Sequence, residues 1–381
     1  MTAPEWNRFA HWKAGPARAV LALLLTFLVL AAITPMRSGE GVHTSLAEGR
    51  KVEEGAKARD EDLALYDRVT EHLRRGENYY EAVAIEHRAS RYPLRPGFAV
   101  RLPTLATIQA QLPPPANPSD GGKVEALLAL ALIAAILIVW WRRLGEEPGG
   151  EGVRLWATVL VFLGVQILSI GYFFVLHELW SGGLLALAMG LYRPEKGKWT
   201  GAWIAAAAAL SLREHALPFV LLLGAFALWN RRWREFGAWA LLVGLFIAAM
   251  ALHLHTVAGL VRPDDPVGPS WLTLRGLSGW MSMVVLSSNL RLIPAMLAGP
   301  LMVLMVFGWA GWRTPIATFA TLLFLGYGLA FMIGGRGDNW YWGMMIAPMM
   351  WLGLAFVPMA LKGLASAAFP SAKAAASSEG A

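Results

Sequence analysis

The chain has 381 residues, 56% of them hydrophobic and only 15% charged, with 18 Trp and a mean hydropathy of +0.47; soluble proteins average roughly 25% charged, so this composition is that of an integral membrane protein. The net charge is +7, yet Lys and Arg are spread over short turns between apolar runs instead of gathering on one soluble face, which excludes a nucleic-acid partner. Cys is absent, and with it disulfides, iron–sulfur clusters, thiolate zinc and cysteine nucleophiles.

Arg8, Lys13 and Arg18 precede the first apolar run, 19–36. That order also fits a signal peptide, but no small-x-small cleavage site closes the run, and a retained anchor is the expectation. The large polar segment 37–122 follows. Within it, "DEDLALYDRVTEHLRRGENYY" puts Tyr66, Val69 and Leu73 at i+4, i+7 and i+11 from Asp62, one stripe of an amphipathic helix suited to the membrane interface. Asp60, Glu61 and Asp62 complement its positive N-terminus. Gly76 is placed to end it, and Asn78 with Glu81 forms a capping box for a second helix through about Ser90. Pro93 and Pro96 break the chain before a third short helix in "RLPTLATIQAQL".

Apolar runs of membrane length or nearly so follow at 124–141, 155–176, 179–192, 199–229, 236–252, 292–312, 315–333 and 341–361. The run 199–229 is interrupted by Arg213, Glu214, His215 and Pro218, and reads as two helices meeting at a polar turn. The expected fold is an all-α polytopic membrane protein of about ten transmembrane helices, one domain over 1–361, with short interfacial helices in the outer loop 37–122. The turns holding Arg142, Arg143, Arg193, Lys198 and Arg231 share a side with the N-terminus. The positive-inside rule makes that side cytoplasmic, with both termini on it and 37–122 outside. No inner loop is long enough for a nucleotide-binding unit, so chemistry is expected outside. The Ala/Ser-rich end, 362–381, reads as a disordered cytoplasmic tail. His253 and His255, at i,i+2, do not share a helical face and make no metal pair.

"DLALYDRVTEHLRRGENYYEA" resembles the first outer loop of the GT-C superfamily of membrane glycosyltransferases, which includes protein O-mannosyltransferases and aminoarabinose transferases acting on lipid A. The resemblance rests on Asp62, Tyr66 four positions later, Gly76, Tyr79 and Tyr80. "EHRASRYPLRPGFAVRLPTL", "GLYRPEKGKWTGAWIAAAAALSLREHALPFVLLL" and "RGDNWYWGMMIAPMMWLGLAF" are similar to bacterial members, and the similarity spans most of 1–361 through short, degenerate motifs. It implies an inverting transfer of sugar from a polyprenyl-phosphate donor to an envelope hydroxyl on a lipid, polysaccharide or protein, at the outer face of a bacterial inner membrane. It also makes Asp62 the general base. Many relatives carry Asp-Glu, whereas Asp62 is followed by Leu63; taking Asp60 and Glu61 as the pair would put Ala64 where the aromatic belongs. Asp62 is preferred and Asp60 remains the alternative.

The leaving phosphate needs cations. Helices of about 14 residues reach about 21 Å, short of a hydrocarbon core of about 30 Å, so Arg213, Glu214 and His215 should sit below the outer surface, facing a partner or a watery cavity. An Arg–Glu pair closing the hairpin is the alternative there. His177 and Glu178 could line the same cavity or cap their helix. Arg336, between glycines, fits phosphate contact or turn chemistry, and Arg95 and Arg101 fit phosphate contact or snorkelling. No cofactor is predicted; a divalent ion at the outer acids suits the residue types without any ligand spacing requiring it. A transporter with membrane-sunk charges and a non-catalytic partner with the same fold remain competing readings.

Overall fold

The computed structural model describes residues 5–36 and 59–370; residues 1–4, the part 37–58 of the polar segment and the tail residues 371–381 lie outside the described residues. Among the described residues there are helices and isolated bridges but no strand. Among the described residues six helical stretches, three of them continuing through 3-10 turns, are long and apolar enough to cross a membrane, which makes this a multi-pass membrane protein with a lipid bilayer as its surroundings.

The first helix, α1 (Ala14–Ile33), shows what such a helix presents to its neighbours. Only Ala17, Leu24 and Ala31 are buried, spaced by seven residues, so one narrow seam meets the protein while Leu23, Val29 and Ile33 face outward. The polar layer contains α2 (Glu61–Arg74), α3 (Tyr79–Ala89) and α4 (Thr104–Ala110). Then come α5 (Lys123–Leu144), α6 (Arg154–Val165), α7 (His177–Leu191), α8 (Thr200–Leu212), α9 (Leu217–Trp229) and α10 (Trp233–Leu260). The chain continues through α11 (Gly276–Leu286), α12 (Ala295–Gly311), α13 (Pro315–Ile333), a single turn α14 (Ala347–Met350) and α15 (Val357–Ala368).

Several expectations are met. The run 199–229 is two helices hinged at a 3-10 turn, Glu214–Ala216. Asn78 accepts from the amides of Tyr80 at 2.9 Å and Glu81 at 3.4 Å, capping α3. Gly76, with φ +82°, turns the chain at the end of α2 while the amide of Glu77 reaches the carbonyl of His72, a Schellman closure that the left-handed conformation of glycine permits.

Others are corrected. The helix α2 does not lay its stripe in lipid: Val69 packs with Val83 of α3, Ala106 of α4, Val100 and Val257 in a small core, Leu63 joins the main core of the bundle, and Leu65 and Thr70 are buried as well. α11 lies in what reads as an outer turn, and α15 continues to Ala368, so residues 362–368 are helical, not tail. The run 341–361 is no single helix. It passes through 3-10 turns at Gly337–Met345 and Trp351–Phe356 on either side of α14.

Irregular backbone is tolerated at membrane depth only where protein covers it, and here the cover is built from glycines. A Cβ on Gly182 of α7 would lie 2.0 Å from the carbonyl oxygen of Met344, one on Gly164 of α6 2.1 Å from that of Pro348, and one on Gly308 of α12 1.9 Å from that of Gly353. The irregular segment returns the contact, with Gly343 seated on the carbonyl of Met283 in α11 and Gly353 on that of Met305 in α12. Gly182→Ala is expected to destabilise the purified protein by about 3 kcal/mol or more, since backbone must move. Gly244→Ala, on α10 with nothing within 4 Å, should leave the melting temperature unchanged or slightly raised, and thermal unfolding in detergent compares the two.

Candidate active site

The seat of the last segment brings Asp338 to Trp342 beneath the polar layer, and the start of α2 meets them there. Two adjoining cavities, of about 190 and about 100 Å³, share Asp62, Tyr66, Asp338 and Tyr341 as common walls. Asp62 therefore stands in the partition of a cleft.

The three acids at the head of α2 have separate roles. Asp60 is the N-cap, its carboxylate accepting from the amide of Asp62 at 3.0 Å, while its own amide donates to the hydroxyl of Tyr172 at 3.3 Å. Glu61 faces outward and pairs with Arg68 at 2.8 Å. Asp62, one residue further round, turns into the cleft, where the hydroxyl of Tyr92 donates to its Oδ1. Tyr92 is aimed by a second Schellman-type turn: Arg91 has φ +57°, and the amide of Tyr92 reaches the carbonyl of His87 at 2.7 Å. Tyr66, one helical turn beyond Asp62, accepts from Nε of Arg101 at 3.1 Å, and Nη2 of Arg101 donates to the hydroxyl of Tyr341 at 3.1 Å.

Below the tyrosines lies a buried charge cluster. Arg213 and Glu178 are each 1% exposed, with Nε and Oε1 2.6 Å apart. Arg213 also pairs with Glu214, whose Oε1 lies 3.2 Å from Nδ1 of His215. Nη2 of Arg101 approaches Oε1 of Glu178 at 3.9 Å, which links the cluster to the cleft wall. The ring of His215 packs on Trp342, 4.5 Å between centroids, and the ring of His177 lies against Tyr66 at 5.7 Å. Arg101 and Arg213 are balanced by Glu178 and Glu214, so the set is close to neutral overall. Among the described residues Nη2 of Arg213, Nδ1 of His177 and Nε1 of Trp342 are buried without hydrogen-bond partners, polar capacity that a bound molecule or water would satisfy.

The structure thus gathers Asp60, Asp62, Tyr66, Arg101, His177, Glu178, Arg213, Glu214 and His215 in one region. Arg336 joins at the rim, lining the smaller cavity and chelating Asp338 through Nε at 3.2 Å and Nη2 at 2.8 Å. Arg95 does not join: its Nη2 donates to the carbonyl of Asp265 at 3.0 Å, and it lines neither cavity. Sequence reasoning missed Tyr92, Asp338, Trp340, Tyr341 and Trp342. For all but Tyr92 the signal was present, since "GDNWYW" sets an acid among three aromatics directly after Arg336. His253 is structural, its Nδ1 meeting the hydroxyl of Tyr80 at 3.2 Å and its Nε2 the carbonyl of Val100 at 3.2 Å. Among the described residues no group of three or more His, Asp or Glu is arranged to hold a metal ion.

No family model, curated protein or solved structure matches the chain.

Removing one member of a buried ion pair leaves the other charge uncompensated. Glu178→Ala is expected to cost roughly 3–5 kcal/mol, and the double change Glu178→Leu with Arg213→Met to recover much of it, both read by thermal unfolding. A second expectation concerns His87, which lines the smaller cavity and whose Nδ1 donates to the carbonyl of Pro93 at 3.0 Å. Burial holds its pKa down at about 4, from 6.5. The unfolded chain therefore binds this proton first, and stability falls as pH drops from about 6.5 toward about 4, by on the order of 3 kcal/mol at the limit. His87→Gln, which keeps a donor but cannot titrate, should flatten that decline in melting temperature.

Proposed function

We propose that the chain is a glycosyltransferase of the GT-C type, moving a sugar from a polyprenyl-phosphate donor to an envelope hydroxyl at the outer face of a bacterial inner membrane. On this reading the shorter apolar helices α8, α9 and α12, with α7, complete about ten passes. The end of the bundle that carries Arg142, Arg193 and Arg231 is then cytoplasmic, together with both termini. The observation that carries the proposal is the position of Asp62. Of three adjacent acids it alone lines both cavities, while Asp60 is committed to capping the helix and Glu61 to Arg68.

The chemistry follows from that arrangement. An acceptor hydroxyl in the cleft gives its proton to Asp62 as its oxygen attacks the anomeric carbon; the bond from that carbon to the phosphate oxygen breaks with inversion, and the polyprenyl phosphate leaves carrying the negative charge. Tyr92 occupies one carboxylate oxygen and fixes the rotamer, leaving the other for the acceptor. Arg101 and Arg336, both in the wall of the smaller cavity, supply positive charge for the leaving phosphate, Arg336 by exchanging Asp338 for it. Tyr341, Trp340 and Trp342 offer aromatic faces to the sugar.

Loss of one envelope sugar from a deletion strain, found by mass spectrometry of glycolipids, polysaccharide and glycoproteins, would identify donor and acceptor class together. In that background Asp62→Asn is expected to lower transfer by roughly a hundredfold or more without changing the melting temperature. Asp60→Ala should leave turnover intact and cost about 1 kcal/mol of stability through the lost cap. Full activity in Asp62→Asn would sink the assignment of the base.

A further inference from the structure

At the end of the bundle opposite Asp62 the final turns of α5 and α7 and the first turn of α8 part around an open cavity of about 560 Å³. α7 connects the two regions: His177 begins it beside the cleft and Leu191 ends it in this cavity, 15 residues or about 22 Å away. Glycines give the cavity its depth. Gly190 sits so close to α5 that a Cβ would come within 2.7 Å of Val139, Gly197 turns with φ +69°, and Gly201 leaves the α8 wall open.

Of the charged side chains in the lining, Arg142, Arg193 and Lys198 are cations and Glu146 is the single anion. Arg193 shares Glu146 with Lys196. The side chains of Arg142 and Lys198 are exposed and form no ion pair among the described residues. The first amides of α8 add positive potential, since Trp199 at its N-cap supplies no side-chain cap. Between the cations the floor is apolar, Val139 and Leu191. It continues onto the outward faces of α5 and α8, where Ile138 and Ile204 are exposed. An anion site that opens onto a hydrophobic track matches an amphiphile with an anionic head, not a soluble anion.

We propose that this cavity binds the headgroup of an anionic phospholipid from the leaflet at that end of the bundle, its phosphate between Arg142, Lys198 and the start of α8 and its chains along the track. The assignment is independent of what happens at Asp62.

The test is native mass spectrometry of the full chain in detergent, titrated separately with phosphatidylglycerol, phosphatidylcholine and inorganic phosphate. Phosphatidylglycerol should bind about tenfold or more tighter than phosphatidylcholine. Arg142→Gln with Lys198→Gln should abolish that preference. Gly201→Leu, placed where a Cβ meets only Leu191 at 3.5 Å, should weaken binding by filling the cavity with no change of charge. Arg231→Gln with Arg234→Gln, cations at the same end outside the cavity, should change nothing. Equal binding of the two lipids, an equal loss in the control pair, or inorganic phosphate binding as tightly as the lipid would each overturn the proposal.

Discussion

The contact on which the rest of the structure depends is between glycines and backbone. An apolar segment that leaves the helical path exposes amides and carbonyls, and in a bilayer nothing outside the protein can receive them. The segment from Gly337 to Phe356 takes that risk within a shell of α6, α7, α11 and α12, each close enough because one partner lacks a side chain. Small residues at helix crossings are how membrane proteins gain packing when lipid offers no hydrophobic drive. Here the same device fixes a polar loop: once Gly343 is seated on Met283 and Gly182 on Met344, Asp338 to Trp342 must emerge at the end of the bundle that carries α2.

Charge placement then follows from desolvation. Arg213 and Glu178 are buried almost completely, a costly state unless each ion meets an opposite charge at short range. Pairing satisfies that demand and leaves the cluster near neutrality, so it does not by itself hold an anion. Its link to the cleft is Arg101, which touches Glu178 on one side and the hydroxyls of Tyr66 and Tyr341 on the other. A negatively charged group arriving above the tyrosines would act on this chain of contacts without entering the buried pair.

How much of this was legible in the sequence depended on how local the cause was. The ends of α2 and α3 could be read because capping is a matter of a few residues, Gly76 in one case and Asn78 in the other. The hinge at Arg213 could be read because charge interrupts an apolar run. α11 could not, since Met281 through Val285 are buried in succession and give it no polar face, while its 11 residues fall short of a span. Nor could the unwinding after Tyr341, where Gly343, Pro348 and Gly353 were the sole hints in an unbroken apolar run. At the site, Asp62 and Tyr66 stood out through the family resemblance, since the local pattern alone read the acids as helix-end charge. Tyr92 did not, because its approach to Asp62 depends on Arg91 adopting a left-handed turn that the residue type does not announce.

The depth of the cleft is set by unequal helices. α8 and α9 have 13 residues each, about 20 Å, whereas α10 has 28, about 42 Å. Starting from the same end of the bundle, the short pair turns at Arg213 well below the height that α10 reaches, which leaves a bowl floored by Glu214 and His215 and walled by the upper half of α10. The polar layer fills that bowl and is tied to the wall at several heights: His253 to Tyr80 and Val100, Val257 in the small core, and the carbonyl of Leu260 to Arg88. Arg88 then closes on Asp265 with two short bonds, 2.7 and 3.0 Å, beyond the helix end. With α3 pinned to α10 and α2 packed on α3, the N-terminus of α2 has little freedom, and the space left open between it and the last segment is the cleft at Asp62. A mutation high on α10 would therefore reach the site by tilting α2, even though no residue of α10 lines it.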